Sequence, residues 1–423
     1  MSITPDVLHQ LYQGVFKHLV SWCQDLLSPE ELNNLSRCLP GAYGIWHFKN
    51  GISSLAQVSG KERKEMACIL LACLVGKIPK AVMLTFQSIL DFIYLTQYPT
   101  HDDTTLGYMT DTLKTYHKNK DVLIKLGIRE HFNIPKFHSL MHYVDSIHQF
   151  GTTDNYNTEM FERLHIDFAK KVWRTSNHQD EFPQMMKWIT SPQQHLTCIQ
   201  ERHNAPGFST ALTAFINDIQ PSELRLNHHD LSRTWLPFDW LDVYHKARFS
   251  PFALSDGKEE QDVIKSIPGS AIKGRMARFD TVIALENGEA KSTGVRGTRA
   301  ARLKVIFRLP EKLPARQGGR CSPSWWPKGP LAYVQWYSRF ASAADPIHLM
   351  YTVNRPPLRS DGLPPGQIIL LSQIRQLCQL VPAFPDGSRG TVPPNWTSEN
   401  VLDEANRLLL NNWAGMYAYQ TLW

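Results

Sequence analysis

The stretch Thr4-Pro5-Asp6-Val7-Leu8-His9-Gln10-Leu11-Tyr12-Gln13-Gly14 reads as the opening of a helix. Thr4 offers a capping hydroxyl, and Pro5 has the fixed φ that suits a first helical position. Val7, Leu8 and Leu11 then fall at helical spacing, while Asp6 and His9 stand three apart. Working outward, Ser28-Pro29-Glu30-Glu31 and Ser59-Gly60-Lys61-Glu62 fit the capping box, in which a hydroxyl and a glutamate satisfy two orphan N–H groups reciprocally. Gly76 and Pro79 separate one helix from the next, which carries Val82, Phe86, Ile89, Leu90, Ile93 and Tyr94 on one face. Further helices are expected at 104–126, stopping at Gly127, at 136–150, and at about 158–174. His101-Asp102-Asp103 reads as a cap for the 104–126 helix. Residues 1–203 are expected to be helical throughout.

The periodicity changes downstream. Residues 204–270 mix Pro, His and aromatic residues and read as a connecting region with short helices. From 271 to 423 the runs Phe279–Leu285, Ala301–Leu309, Leu331–Phe340, His348–Asn354 and Ile368–Ile374 are rich in β-formers and divided by Gly and Pro. Short strands with turn signals predict a small β-barrel. A helix is expected from Ser398 to about Leu410, and Tyr417–Trp423 as a last strand. The fold class expected is therefore α+β, a mainly helical first half followed by a β-barrel-like accessory domain.

The 423 residues, 42% hydrophobic and 20% charged, have the composition of a soluble globular protein and suffice for several cores. Met66 to Val75 is the longest apolar run, and its ten residues fall short of the ~20 that span a bilayer. No secretion signal opens the chain. The seven cysteines lack a C-x2-C pair and are expected as free thiols of a reducing compartment, nucleus or cytosol. The net charge of +6 is unevenly placed: residues 1–203 hold 20 Lys/Arg and 20 Asp/Glu, whereas 272–320 hold twelve basic residues and four acids.

Three segments in order carry a resemblance: the opening stretch with Asp6 and His9, then His138-Ser139-Leu140-Met141-His142, then Asn157-Thr158-Glu159-Met160-Phe161-Glu162-Arg163-Leu164-His165. In wording and order the chain resembles the C-terminal half of Plavaka-type fungal DNA transposases, relatives of the CACTA and Kyakuja-Dileera-Zisupton elements. The resemblance is firm over 1–203 and looser beyond. It implies an RNase H-like core with an Asp-Asp-Glu triad holding two divalent metals, Mg2+ or Mn2+, in the intact enzyme. The domain 1–203 would then comprise the helical insertion and the helix with the last catalytic glutamate. Both catalytic aspartates would precede Asp6, so the chain is expected to be a C-terminal fragment, inactive alone, with a partner or upstream chain supplying the rest. DNA at the transposon ends, a nuclear location and homo-oligomerisation belong to the same expectation, and no membrane is involved.

The candidate residues follow. A helix at 158–174 that buries Met160, Leu164, Phe168 and Val172 leaves Glu159 and Glu162 together on another face. Spacing alone cannot choose between them, and both read equally as solvated glutamates pairing with Arg163 or Lys170. The resemblance favours Glu162, with Glu159 as the alternative. Asp6 with His9, and His138 with His142, have spacings that put each pair on one helix face, so two crossing helices would offer four ligands to a structural Zn2+. The plainer reading makes Asp6 a first-turn acid and the histidines packed core residues. A metalloprotease is excluded, because the His pair lacks the glutamate after the first His. In the basic region Arg296, Arg299, Arg302, Lys304 and Arg308 share one β-rich segment with Trp325, Trp326, Tyr333, Trp336 and Tyr337, which follow them. Cations with aromatics suit nucleic acid, although aromatics in a small barrel also serve as core. The alternative function is thus a domesticated nucleic-acid or chromatin binding module without catalysis.

Overall fold

The computed structural model describes residues 5–53, 58–156, 194–231, 234–251, 262–269, 276–313, 321–384 and 392–422. The chain is mixed α+β, with helices in the first half and antiparallel sheets after it.

The opening stretch is a π-helix over Val7–Val15 that continues as an α-helix over Phe16–Leu26. Asp6 caps it, because its carboxylate accepts the backbone N–H of His9 at 2.6 Å. Ser28 caps Pro29–Arg37 with Pro29 in the first turn, and Ser59 with Glu62 closes a full capping box on Gly60–Leu74. A Cβ on Gly60 would meet Leu8 Cδ1 at 2.4 Å, so glycine lets this helix start against the π-helix. The apolar helix Lys80–Leu95 lies at the centre, with Phe86, Ile89, Leu90 and Ile93 fully buried. Asp102 caps Asp103–Asn119, as its sequence suggests, and a separate turn, Val122–Lys125, ends at Gly127 in left-handed conformation. Around Trp22 the rings of Phe86, Phe132 and Phe137 stack or meet edge-on at 5.5–6.3 Å. Aromatic packing of this kind adds to the area buried.

The helix expected at 136–150 is interrupted. Pro135–His138 is α, Ser139–His142 is a 3-10 turn, and Tyr143–Phe150 is α again. The expected helix at 158–174 lies outside the described residues.

β1 (Gln194–His195) interrupts the stretch 1–203 that was expected to be helical throughout, and β2 (Trp240–Tyr244), β3 (Lys246–Phe249) and β4 (Asp262–Ile267) fall within 204–270, where only short helices were expected. Leu241 and Val243 are the buried positions of β2, a period-two signal too short to stand out among polar neighbours. The helix Phe208–Ile219 does occupy part of 204–270, and Leu196–Arg202 is helical at the end of 1–203. Next come β5 (Arg278–Phe279), β6 (Thr281–Leu285), β7 (Thr298–Arg308), β8 (Leu331–Trp336), β9 (Tyr351–Asn354), β10 (Gly366–Leu370), β11 (Ile374–Cys378), β12 (Leu380–Pro382) and β13 (Arg407–Leu410).

The long strand β7 organises the main sheet, in the order β1-β2-β7-β6-β11 with β8 and β10 branching from β7. Two three-stranded sheets, β12-β13-β9 and β3-β4-β5, lie beside it. These sheets do not form a closed barrel among the described residues, which corrects the barrel expectation. Three local expectations change as well. The helix placed at 398–410 is only Val401–Glu404, because Leu408, Leu409 and Leu410 are all buried in a strand paired on both sides. Tyr417–Trp423 was expected as a strand, but Met416–Thr421 is helical, burying Tyr419 and Leu422 three apart. The run from His348 begins as a strand only at Tyr351, after Leu349 takes a φ of 60°.

The largest core does not stop at residue 203. It joins Trp22, Phe86, Phe92 and Tyr143 to Met350, Val381, Leu409, Trp413 and Tyr419. Smaller cores lie between β7, β8 and the helix Phe208–Ile219, and on the other sheet faces. All seven cysteines are free thiols. Among the described residues no helix is long and apolar enough to cross a membrane.

Candidate metal and nucleic-acid sites

Asp6 and His9 do meet. Besides the cap, the His9 ring donates from Nδ1 to the Asp6 carboxylate at 2.8 Å, with His9 exposed and Asp6 mostly covered. His138 and His142 also meet, their rings edge to face with centroids 5.4 Å apart. The route differs from the α-helical faces expected: one pair sits on the cap and first turn of a π-helix, the other straddles a 3-10 turn. Wider π turns and tighter 3-10 turns are both frequent at functional sites.

The two elements pack together. Gln10 donates from Nε2 to the Ser139 hydroxyl, and Tyr143 donates from Oη to the Asp6 carbonyl oxygen at 3.2 Å. A Cβ on Gly14 would stand 3.1 Å from both the His9 carbonyl oxygen and the Lys136 side chain, so glycine permits this approach. Each pair is thus assembled, and the pairs lie on neighbouring elements. Among the described residues, no three His, Cys, Asp or Glu side chains gather closely enough to hold a metal ion. The four side chains therefore do not fit a preformed tetrahedral site. Glu162 and its alternative Glu159 lie outside the described residues.

The five basic candidates separate by environment. Arg296 is exposed and paired with Glu289 at 3.2 Å. Arg299 is half-buried, donates to the Tyr337 carbonyl at 2.7 Å, lies 3.8 Å from Glu286, and rests 5.3 Å from the Trp336 ring centroid. Arg308 is exposed at the end of β7, with its guanidinium 5.9 Å from the Tyr244 ring. Arg302 and Lys304, by contrast, are buried. Arg302 reaches Asp403 at 3.2 Å, and Lys304 lies 4.4 Å over the Phe279 ring. Burial, then the neighbouring Arg302, pushes the Lys304 ammonium down to about 8. Of the five, Arg296 and Arg308 form the exposed, solvent-facing part.

The aromatics divide in the same way. Trp326, Tyr333 and Tyr337 are core, and Trp325 and Trp336 are half-buried. Sequence reasoning grouped Arg302 and Lys304 with the basic surface and missed Arg355 and Asp403, which share their cleft. Arg355 and Asp403 lie in segments with no motif, 51 and 99 residues beyond Lys304, so only chain folding joins them.

No curated protein and no solved structure matches the chain. The family model described as Plavaka transposase matches residues 1–23. Over that segment, which carries Asp6, His9 and the π-helix, the chain is similar to the Plavaka transposases.

Proposed function

We propose that the protein derives from a Plavaka-type cut-and-paste transposase and serves the movement of transposon DNA in the nucleus. The observation that carries this reading is the family match over residues 1–23. It coincides with the element that packs against the His138/His142 segment, the next motif in the order of the class. In the intact enzyme, two divalent metals, Mg2+ or Mn2+, would activate the attacking oxygen and stabilise the leaving one. Glu162, or Glu159 in its place, is proposed as the last carboxylate of an RNase H-like core. These 423 residues offer a candidate for that carboxylate alone, so they are proposed not to cut DNA without the two aspartates of the class. Asp6, His9, His138 and His142 would bind Zn2+ only if the two pairs closed together.

The alternative, a domesticated nucleic-acid or chromatin binding module without catalysis, is favoured by one feature: the cations of β7 and the Trp336 ring occur together in the β half. Translating the genomic DNA upstream of Met1 in frame tests the choice. Two strand-forming segments each bearing an aspartate support the transposase reading. Their absence, together with DNA binding by the purified chain, supports the module.

A further inference from the structure

A cleft of about 630 Å³ opens between β7, β8 and the segments around 355–365 and 402–406, a size usual for small-ligand sites. Arg302 and Lys304 line it from β7, and Arg355 from the segment after β9. The pairing of β7 with β8 shifts register between Leu303 and Val305, which leaves Lys304 as the extra residue of a bulge. Bulges re-aim side chains and are frequent beside binding sites.

The cleft carries more cation than acid. Arg302, whose side chain is 8% exposed, uses one Nη on Asp403 at 3.2 Å, while its Nε has no hydrogen-bond partner among the described residues. Lys304 is 2% exposed and has the Phe279 ring at 4.4 Å. Arg355 is exposed, and its guanidinium donates to the Asn406 amide oxygen at 3.3 Å. Asp403, itself half-exposed, is the acid in this lining, against three cations. Burying cations is costly unless an anion compensates them, and two arginine forks with one lysine point charge suit a phosphate. Part of the lining is apolar. Trp336, fixed by its Nε1–H donating to Gln367 at 3.0 Å and by its backbone N–H donating to the Pro365 carbonyl at 2.9 Å, lines the cleft together with prolines 356, 364 and 365.

We propose that this cleft binds a phosphate-bearing ligand of nucleotide size, with its phosphate among Arg302, Lys304 and Arg355 and its ring against Trp336. The ligand is either a free nucleotide or the phosphorylated end of a nucleic-acid strand, which share this chemistry. The proposal rests on the cleft alone and survives if the transposase assignment fails. Asp403 competes with the phosphate for Arg302, so removing its charge should tighten binding, whereas a merely structural Asp403 would give the opposite result.

Isothermal titration of the full chain with AMP, adenosine, glutarate, and a tetranucleotide with and without a 5′-phosphate tests this. AMP should bind at least about tenfold more tightly than adenosine, the weight of one charge-assisted hydrogen bond. Arg355→Glu, a surface change that leaves the core intact, should weaken AMP by about tenfold or more. Asp403→Asn should tighten it. A phosphorylated tetranucleotide that binds more tightly than AMP identifies a strand end, and equal or weaker binding identifies a free nucleotide. The proposal is overturned if AMP does not bind, if adenosine or glutarate matches AMP, if Arg355→Glu has no effect, or if Asp403→Asn weakens binding.

Discussion

Tyr94, in the central helix, donates its hydroxyl to the Trp413 carbonyl oxygen at 2.7 Å, and the two rings meet edge to face 5.6 Å apart. Residues 319 apart in sequence thereby share one core. Trp413 is fully buried and donates its indole N–H to the His348 carbonyl at 3.0 Å. The helical and β halves are therefore mechanically joined, and unfolding one should expose the other.

Trp413→Ala should cost about 3–5 kcal/mol by leaving a cavity and orphaning the His348 carbonyl. Tyr94→Phe should cost about 1–3 kcal/mol, because the Trp413 carbonyl loses its partner in the interior. Urea denaturation followed by far-UV circular dichroism and by tryptophan fluorescence measures both. Coincident transitions are expected, and two separated transitions would show that the halves fold independently.

Asp91 belongs to the same cluster, where its carboxylate accepts the Tyr419 hydroxyl. Burial raises its pKa from 3.8 to about 6 against the opposing hydrogen bonds of Tyr419 and Gln87. The unfolded chain releases this proton first as pH rises. Stability should therefore fall between about pH 4 and about pH 6 and then level off. Asp91→Asn should flatten that slope and raise the urea midpoint at neutral pH. A mutant whose midpoint keeps the wild-type pH dependence would assign the slope to other groups.

The purified chain should not nick supercoiled plasmid in Mg2+ or Mn2+. Two cations need several anionic ligands to offset their mutual repulsion, and one glutamate does not suffice. Agarose gels of plasmid incubated with wild type and Glu162→Gln give the answer. Metal-dependent nicking that disappears in Glu162→Gln would place a working catalytic site within these residues.

Weak, sequence-independent DNA binding is expected of the β half through its exposed cations. Such binding rests on counterion release, so affinity for a duplex should drop steeply between about 50 and about 200 mM salt. Arg296→Glu with Arg308→Glu should weaken it further in fluorescence polarisation of the full chain. Salt-insensitive binding, or no loss in the double variant, would remove these arginines from the interface.

The sequence by itself determined much of the first half. Ser28, Ser59 and Asp102 cap the helices that their spacing announced, because a cap is settled within four residues of chain. It also announced β7 and β8, whose β-branched and aromatic runs are long. Short strands such as β2 and β13 were not legible, since each is made stable by partners distant in sequence: β2 by β7, and β13 by β9 and β12. At the candidate sites, local spacing did bring Asp6 to His9 and His138 to His142, while the π and 3-10 geometry that carries them came from packing around Gly14, Ser139 and Tyr143. Tertiary structure alone decided which cations face water. Arg296, just before β7, and Arg308, at its end, are exposed, whereas Arg302 and Lys304 lie buried within β7 and meet Arg355 and Asp403 in one cleft. A charge count along the chain registers sign but not burial, and burial depends on which distant segments fold over the strand.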